Sequence, residues 1–213
     1  MVFDSVYEMF NPLTDVRKQH FWDWFSGKSL DSRWTYNNVD SSADSSAMSD
    51  TVDGGYELIT GTPTAARCAI NFNDKRQYSH SGSVIIGVIK GSTTSNMGTG
   101  IGLADGEDLA LSGDMAWGGM ETALETGSKF LIRTADGSSG SNTETNVSID
   151  TNFHSNKIEL DGSNAKYTLD GVLKVTKDTN LPDTKLQPTF YAIHRTTGGT
   201  VSGFIRYCEA YNT

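Results

Sequence analysis

Lys157-Ile158-Glu159-Leu160-Asp161-Gly162-Ser163-Asn164-Ala165-Lys166-Tyr167-Thr168-Leu169-Asp170-Gly171-Val172-Leu173-Lys174-Val175-Thr176 is the stretch that decides the fold. Ile158 and Leu160 alternate with Lys157, Glu159 and Asp161, and Tyr167 and Leu169 alternate with Lys166 and Thr168. A period of two puts the apolar set on one face of a strand and the charges on the other. Asp161-Gly162 and Asp170-Gly171 fall between the runs. Asp and Gly tolerate the positive φ of a tight hairpin turn, so the stretch predicts a three-stranded antiparallel meander.

The same texture extends outward. Thr189–His194 and Gly203–Tyr211 read as strands downstream. Upstream, Phe130–Arg133 precedes the turn pair Asp136-Gly137, and Cys68, Ile70 and Phe72 share one strand face. Tyr56–Ile59 follows a Gly-Gly. Ser83–Lys90 is almost wholly apolar, which predicts a central strand covered on both sides with Ile86 and Val88 in the core. On the order of a dozen short strands follow, the pattern of an all-β sandwich or barrel. Ser41–Ser49 and Asp136–Thr145 are low in complexity and read as loops. Asn11-Pro12 is a helix-start signal, so a short helix is expected over Pro12–His20. The domain reading is therefore an N-terminal arm over residues 1–25 and one sandwich over 26–213.

Composition narrows the function. The chain has 213 residues, a net charge of −9 and no Lys/Arg cluster, so a nucleic-acid partner is not expected. No apolar run reaches the ~18 residues of a membrane span, and the opening residues do not read as a secretory leader, so synthesis in a cytoplasm is expected. Gly, Ser and Thr, at 22, 23 and 24 residues, replace the Ala, Leu, Glu and Lys of a helical protein. Cys68 and Cys208 fall in strands and are expected to be reduced and buried, with a single bridge as the alternative if those strands are neighbours.

Several stretches resemble concanavalin A-like lectin and glucanase domains. They are Trp24–Trp34 (WFSGKSLDSRW), Gly54-Gly55-Tyr56-Glu57-Leu58, the two Asp-Gly hairpins and Phe204-Ile205-Arg206-Tyr207. The resemblance spans Phe25 to Tyr211 and implies an all-β jelly-roll sandwich of two antiparallel sheets. It also implies a last strand that returns beside the first, and carbohydrate on or beside a concave sheet. The fold hosts lectins, glycosidases, lyases and virion domains, so the site must decide the function.

Three sites compete. Glucanases of this fold carry Glu-x-Asp-x-Glu on one strand, where period-two geometry aligns the carboxylates for general acid and nucleophile roles. Glu121-Thr122-Ala123-Leu124-Glu125 keeps the outer pair and replaces the middle Asp with Ala123. Sugar binding needs a flat aromatic beside polar groups, because a pyranose has apolar C–H faces and a polar rim. Trp117, between small residues, with Tyr78 and Arg76, is the candidate ligand set, against a core tryptophan packed by its glycines and a connecting loop around Tyr78. Asp105, Glu107 and Asp108 form the most acidic loop and are the candidate Ca²⁺ ligands, against the simpler reading of a solvated loop with no cofactor.

With the triad broken at Ala123, the sequence favours a non-enzymatic carbohydrate-binding-like or surface-attachment module. The apolar N-terminal arm, with Phe3, Val6, Tyr7, Met9, Phe10 and Leu13, suggests homo-oligomer or particle docking, as on a virion surface. A polysaccharide-cleaving enzyme using Glu121 and Glu125 is the alternative, and a purely structural subunit is a third reading.

Overall fold

In the computed structural model, which describes residues 20–38, 44–48, 54–106, 113–123, 128–196 and 199–213, the chain forms fifteen strands. They are β1 (His20–Asp23), β2 (Thr35–Asn38), β3 (Ser45–Met48), β4 (Tyr56–Ile59), β5 (Arg67–Asn71), β6 (Ser83–Gly91), β7 (Met97–Ala104) and β8 (Asp114–Glu121). They continue as β9 (Lys129–Asp136), β10 (Gly140–Ser148), β11 (His154–Leu160), β12 (Ala165–Leu169), β13 (Val172–Lys177), β14 (Gln187–His194) and β15 (Ser202–Asn212). The meander is β11-β12-β13. Asp170 and Gly171 both take positive φ, 50° and 77°, in its second turn, as a type I′ hairpin requires.

Two antiparallel sheets face each other. The first runs β13-β12-β11-β6-β15-β4-β3, with β1 also paired to β15, and the second runs β10-β9-β8-β7-β14-β5-β2. The last strand does return beside the first: His20 pairs with Tyr211 and Asp23 with Cys208. The architecture is thus the expected jelly-roll sandwich. Between the sheets lies one large apolar cluster that includes Leu58, Ile70, Phe72, Ile132, Ile158, Tyr167, Leu169, Phe190 and Ile205. Cys68 and Cys208 enter it from opposite sheets as free, buried thiols. Burial pushes the Cys68 thiol up to about 12, so both behave as small hydrophobes. Among the described residues no helix is long and apolar enough to cross a membrane.

Four sequence expectations change. In β6 the inward positions are Ile85, Gly87 and Ile89, while Ile86 and Val88 face outward and are half-buried. A strand with no polar alternation carries no phase signal, so the wrong face was legible as the core. Ile85→Ala is expected to cost about 2–5 kcal/mol and Ile86→Ala about 1 kcal/mol, measured by urea unfolding. Ser45–Met48 and Gly140–Ser148 are strands, not loops. They are the outermost strands of the two sheets, where a polar sequence is tolerated because no second neighbour covers it. Residues 20–25 belong to the sandwich: Phe21 and Phe25 are core residues, and Phe21 packs edge-on against Trp34 and Phe72. His20 opens a strand, and the rest of the expected helix, residues 12–19, lies outside the described residues along with the apolar arm.

Candidate functional site

The central strands of the second sheet, β7, β8 and β14, are buried on both faces. Odd-numbered residues of β8 and β9 turn away from the core. Trp117 sits opposite Arg133 on β9 and Gly102 on β7, and Gly102 sits opposite Thr189 on β14. A second apolar cluster forms there from Ala69, Ala104, Met115, Trp117, Leu131, Ala135, Tyr191 and Ile193. β7 makes room for it by presenting Gly98, Gly100 and Gly102 on that face. A Cβ at Gly102 would lie 2.3 Å from the Trp117 Cβ. One at Gly100 would lie 2.7 Å from the Trp117 ring and 2.8 Å from the Tyr191 ring. Trp117 and Tyr191 fill this trough edge to face, with centroids 5.1 Å apart.

Trp117 is therefore fully buried, and its small neighbours serve packing rather than exposure. Its indole N–H finds no acceptor among the described groups. Tyr78 is also a core residue, bridged through its backbone to Leu186 with N–O distances of 3.0 and 2.9 Å. The expectation that both rings meet a ligand is corrected. The alternation Gly98-x-Gly100-x-Gly102 was the signal that a large ring lies flat on this strand.

Glu121 ends β8 on the same face, and its side chain is fully buried. It accepts bonds from Arg195 Nε at 2.9 Å, from a second Arg195 nitrogen, and from the backbone N–H groups of Thr122 and Ala123 at 2.9 and 3.1 Å. With its lone pairs filled by four donors, Glu121 is a structural anion tying β8 to the end of β14. Glu125 lies outside the described residues, and β8 stops at Glu121.

The structure instead gathers carboxylates at the other end of β8. Asp105 follows β7, its backbone N–H donates to the Asp114 carbonyl at 2.9 Å, and Asp114 pairs across to Asp136 at the end of β9. Burial, and then the negative charge of Asp114, raise the Asp105 carboxyl above its ordinary value against a partial pull from Arg76. The Arg76 guanidinium stands 3.9 Å from Asp105 and 2.6 Å from Asp74. Gly113 adopts φ +94°, and a Cβ there would lie 2.3 Å from an Asp105 oxygen. Asp114 is 3% exposed, and its Oδ1 accepts no bond among the described residues. Other shifted carboxylates, Asp31, Asp136, Asp150, Glu159 and Asp161, all move downward. Of the candidate Ca²⁺ set, Asp105 is in this cluster, and Glu107 and Asp108 lie outside the described residues. Among the described residues no group of three or more His, Cys, Asp or Glu side chains is arranged to hold a metal ion.

A separate titratable cluster braces the meander. His154 bonds Asp170 through Nδ1 at 2.6 Å and Asp150 through Nε2 at 3.0 Å, with its ring edge-on to Phe130. Burial alone would lower its pKa, but the two carboxylates outweigh burial and raise it. The folded state thus binds this proton more tightly than the unfolded chain. The resulting stability is complete below the ordinary histidine pKa of about 6.5 and is lost as pH rises through the raised value. Unfolding midpoints measured from pH 6 upward should fall across that window in the parent and stay flatter in His154→Gln.

No protein-family model matches the chain, and no relative among curated proteins is found by sequence. Its fold is similar to that of solved polysaccharide enzymes. The Bacillus licheniformis β-glucanase is 12% identical over 91% of this chain and 98% of that one, with a TM-score of 0.63. A Bacteroides ovatus glycoside hydrolase family 16 protein of a mixed-linkage glucan locus, bound to a product, is 16% identical over 88% and 98%, with a TM-score of 0.62. The Crh5 transglycosylase is 13% identical over 91% and 84%, with a TM-score of 0.63. The expectation of a non-enzymatic attachment module is overturned by this company, whose members are glucanases and a transglycosylase. The structures named include no virion component, so that reading gains nothing. At such identities what is shared is the fold: the chain is a concanavalin A-like jelly-roll sandwich of the shape used by family 16 glucanases.

Proposed function

We propose that the chain cleaves or re-joins glycosidic bonds of a β-linked glucan, with Asp105 as the general acid and Asp114 as its carboxylate partner. The observation that carries this reading is the upward-shifted Asp105 bonded through its backbone to Asp114, whose Oδ1 has no partner among the described residues, on a frame shared with glucanases and a transglycosylase. A carboxyl group whose surroundings favour its protonated form, next to a second carboxyl group, is what bond cleavage requires. Retaining enzymes hold the two about 5–5.5 Å apart, a spacing suited to directly bonded neighbouring strands, whereas inversion needs about 6.5–9.5 Å. Asp105 would protonate the leaving oxygen while Asp114 attacks the anomeric carbon. Water, deprotonated by Asp105, or a sugar hydroxyl would then release the chain. Arg76, placed in the candidate ligand set by sequence, lies beside Asp105 and is positioned to orient a hydroxyl or limit the acid's shift.

Incubation with mixed-linkage β-1,3-1,4-glucan, laminarin and their oligosaccharides tests this. Release of reducing ends, or a change in oligosaccharide length by mass spectrometry, is expected from the parent and lost in Asp105→Asn. No turnover or transfer with any β-glucan sinks the proposal.

A further inference from the structure

The face of the first sheet turned away from the core carries an aromatic edge that plays no part in the acid cluster. Trp22 and Trp24 are 56% and 61% exposed, the largest uncovered aromatics among the described residues. Trp22 lies opposite Glu209 on β15, and the Trp24 ring packs against Tyr207 with centroids 4.5 Å apart. Glu209 sits between them, taking the Tyr207 hydroxyl at 2.9 Å and a His20 ring nitrogen at 2.9 Å.

This edge is fixed from beneath. Asp23 accepts the Phe25 N–H at 2.8 Å and the Trp34 indole N–H at 3.1 Å. Phe25 turns into the core through a positive φ of 47°, so Trp24 is left outside on a rigid step rather than on a loose tail. Beside it opens a shallow hollow lined by Asp23, Ser26, Ser29, Asp31 and Ser32, a set rich in hydroxyls and carboxylates.

We infer that the Trp22–Trp24 edge is a second saccharide-binding surface, which holds a neutral β-glucan chain on the side of the sandwich opposite the second sheet. Trp22 lies on β1 and Trp24 directly follows its last residue, so the two exposed rings offer neighbouring stacking platforms on one edge. Flat rings beside hydroxyls and a carboxylate match the apolar faces and polar rim of a pyranose. A second protein copy fits less well. A large aromatic offers about 150–250 Å² when fully covered, so the two exposed portions present roughly 200–300 Å², against the roughly 800 Å² per partner of a stable interface. The choice of β-glucan rests on the enzymatic reading above, but the surface stands on its own geometry.

Affinity electrophoresis in gels cast with mixed-linkage β-glucan or laminarin tests the surface. The parent should be retarded, and the Trp22→Ala/Trp24→Ala variant should bind at least about tenfold more weakly at an unchanged melting temperature. Both side chains are exposed, so the fold does not depend on them. A Trp24→Tyr variant should keep most of the retardation, because it keeps a flat ring. Equal retardation of parent and double variant overturns the inference, as does no retardation of the parent. A dimeric parent made monomeric by the double substitution overturns it in favour of a second copy. Hydrolysis by the parent is scored separately. Binding without hydrolysis removes the enzymatic reading and leaves this surface. Hydrolysis with undiminished binding by the double variant removes the surface and leaves the enzymatic reading.

Discussion

Replacing Arg195 with leucine is expected to lower stability by about 3–5 kcal/mol, because it strands a buried carboxylate without its counter-charge. Glu121 is fully buried and Arg195 nearly so. After the substitution only the Thr122 and Ala123 N–H groups would remain on Glu121. For a chain of this size such a loss lowers the melting temperature by about 6–20 °C. The ion pair also raises the arginine's pKa against the burial that would lower it. The double variant Glu121→Gln/Arg195→Leu should recover part of the deficit, since no charge is then left unpaired. Urea unfolding of the four proteins closes the cycle. An Arg195→Leu protein that melts with the parent would mean that Glu121 is not held as described and could be free for chemistry. Under the present reading, Glu121→Gln loses glucan turnover only as far as it unfolds, so activity assayed well below its melting temperature should persist.

The meander was legible because three conditions coincided there: apolar alternation, Asp-Gly turns and charge on the opposite face. The same reasoning failed where one was missing. β6 has no alternation, and its phase came out reversed at Ile86 and Val88. β3 and β10 lie at sheet edges and carry Ser, Thr and Asn where a central strand would carry Val or Ile. β7 and β8 are dense in glycine, which lowers strand propensity, so Trp117 looked exposed. The glycines on the neighbouring strand in fact form the trough that buries it. The Glu121–Arg195 pair joins residues 74 apart, and Asp105–Asp114 depends on β7 and β8 pairing with Ala104 opposite Met115. A sequence supplies residue types at such positions but not the register that brings them together. The jelly-roll resemblance was sound at the level of the frame, whereas the central Asp of its catalytic motif is Ala123 in this sequence.

Asp105→Asn is expected to slow β-glucan cleavage by about 10²–10⁴-fold, the range typical of a positioned general acid. The raised pKa gives the sign of the pH profile. Asp105 must carry its proton to serve a sugar leaving group, so parent turnover should fall as pH rises through that raised value. The variant should lack this limb. An aryl β-glucoside whose phenolate departs without protonation bypasses the first need for the acid, so the variant should still form the glycosyl–Asp114 ester. It then lacks the base that activates water, so the ester should accumulate and appear as a mass increase of one glycosyl unit. Asp114→Asn removes the nucleophile and should abolish turnover of both the glucan and the aryl substrate. Gly113→Ala offers an independent check, because a Cβ there would press on the Asp105 carboxylate from 2.3 Å and impose strain at φ +94°. It should perturb the basic limb as well as the rate. Full glucan turnover by Asp105→Asn, or an unchanged limb, would move the chemistry away from the β7–β8 mouth.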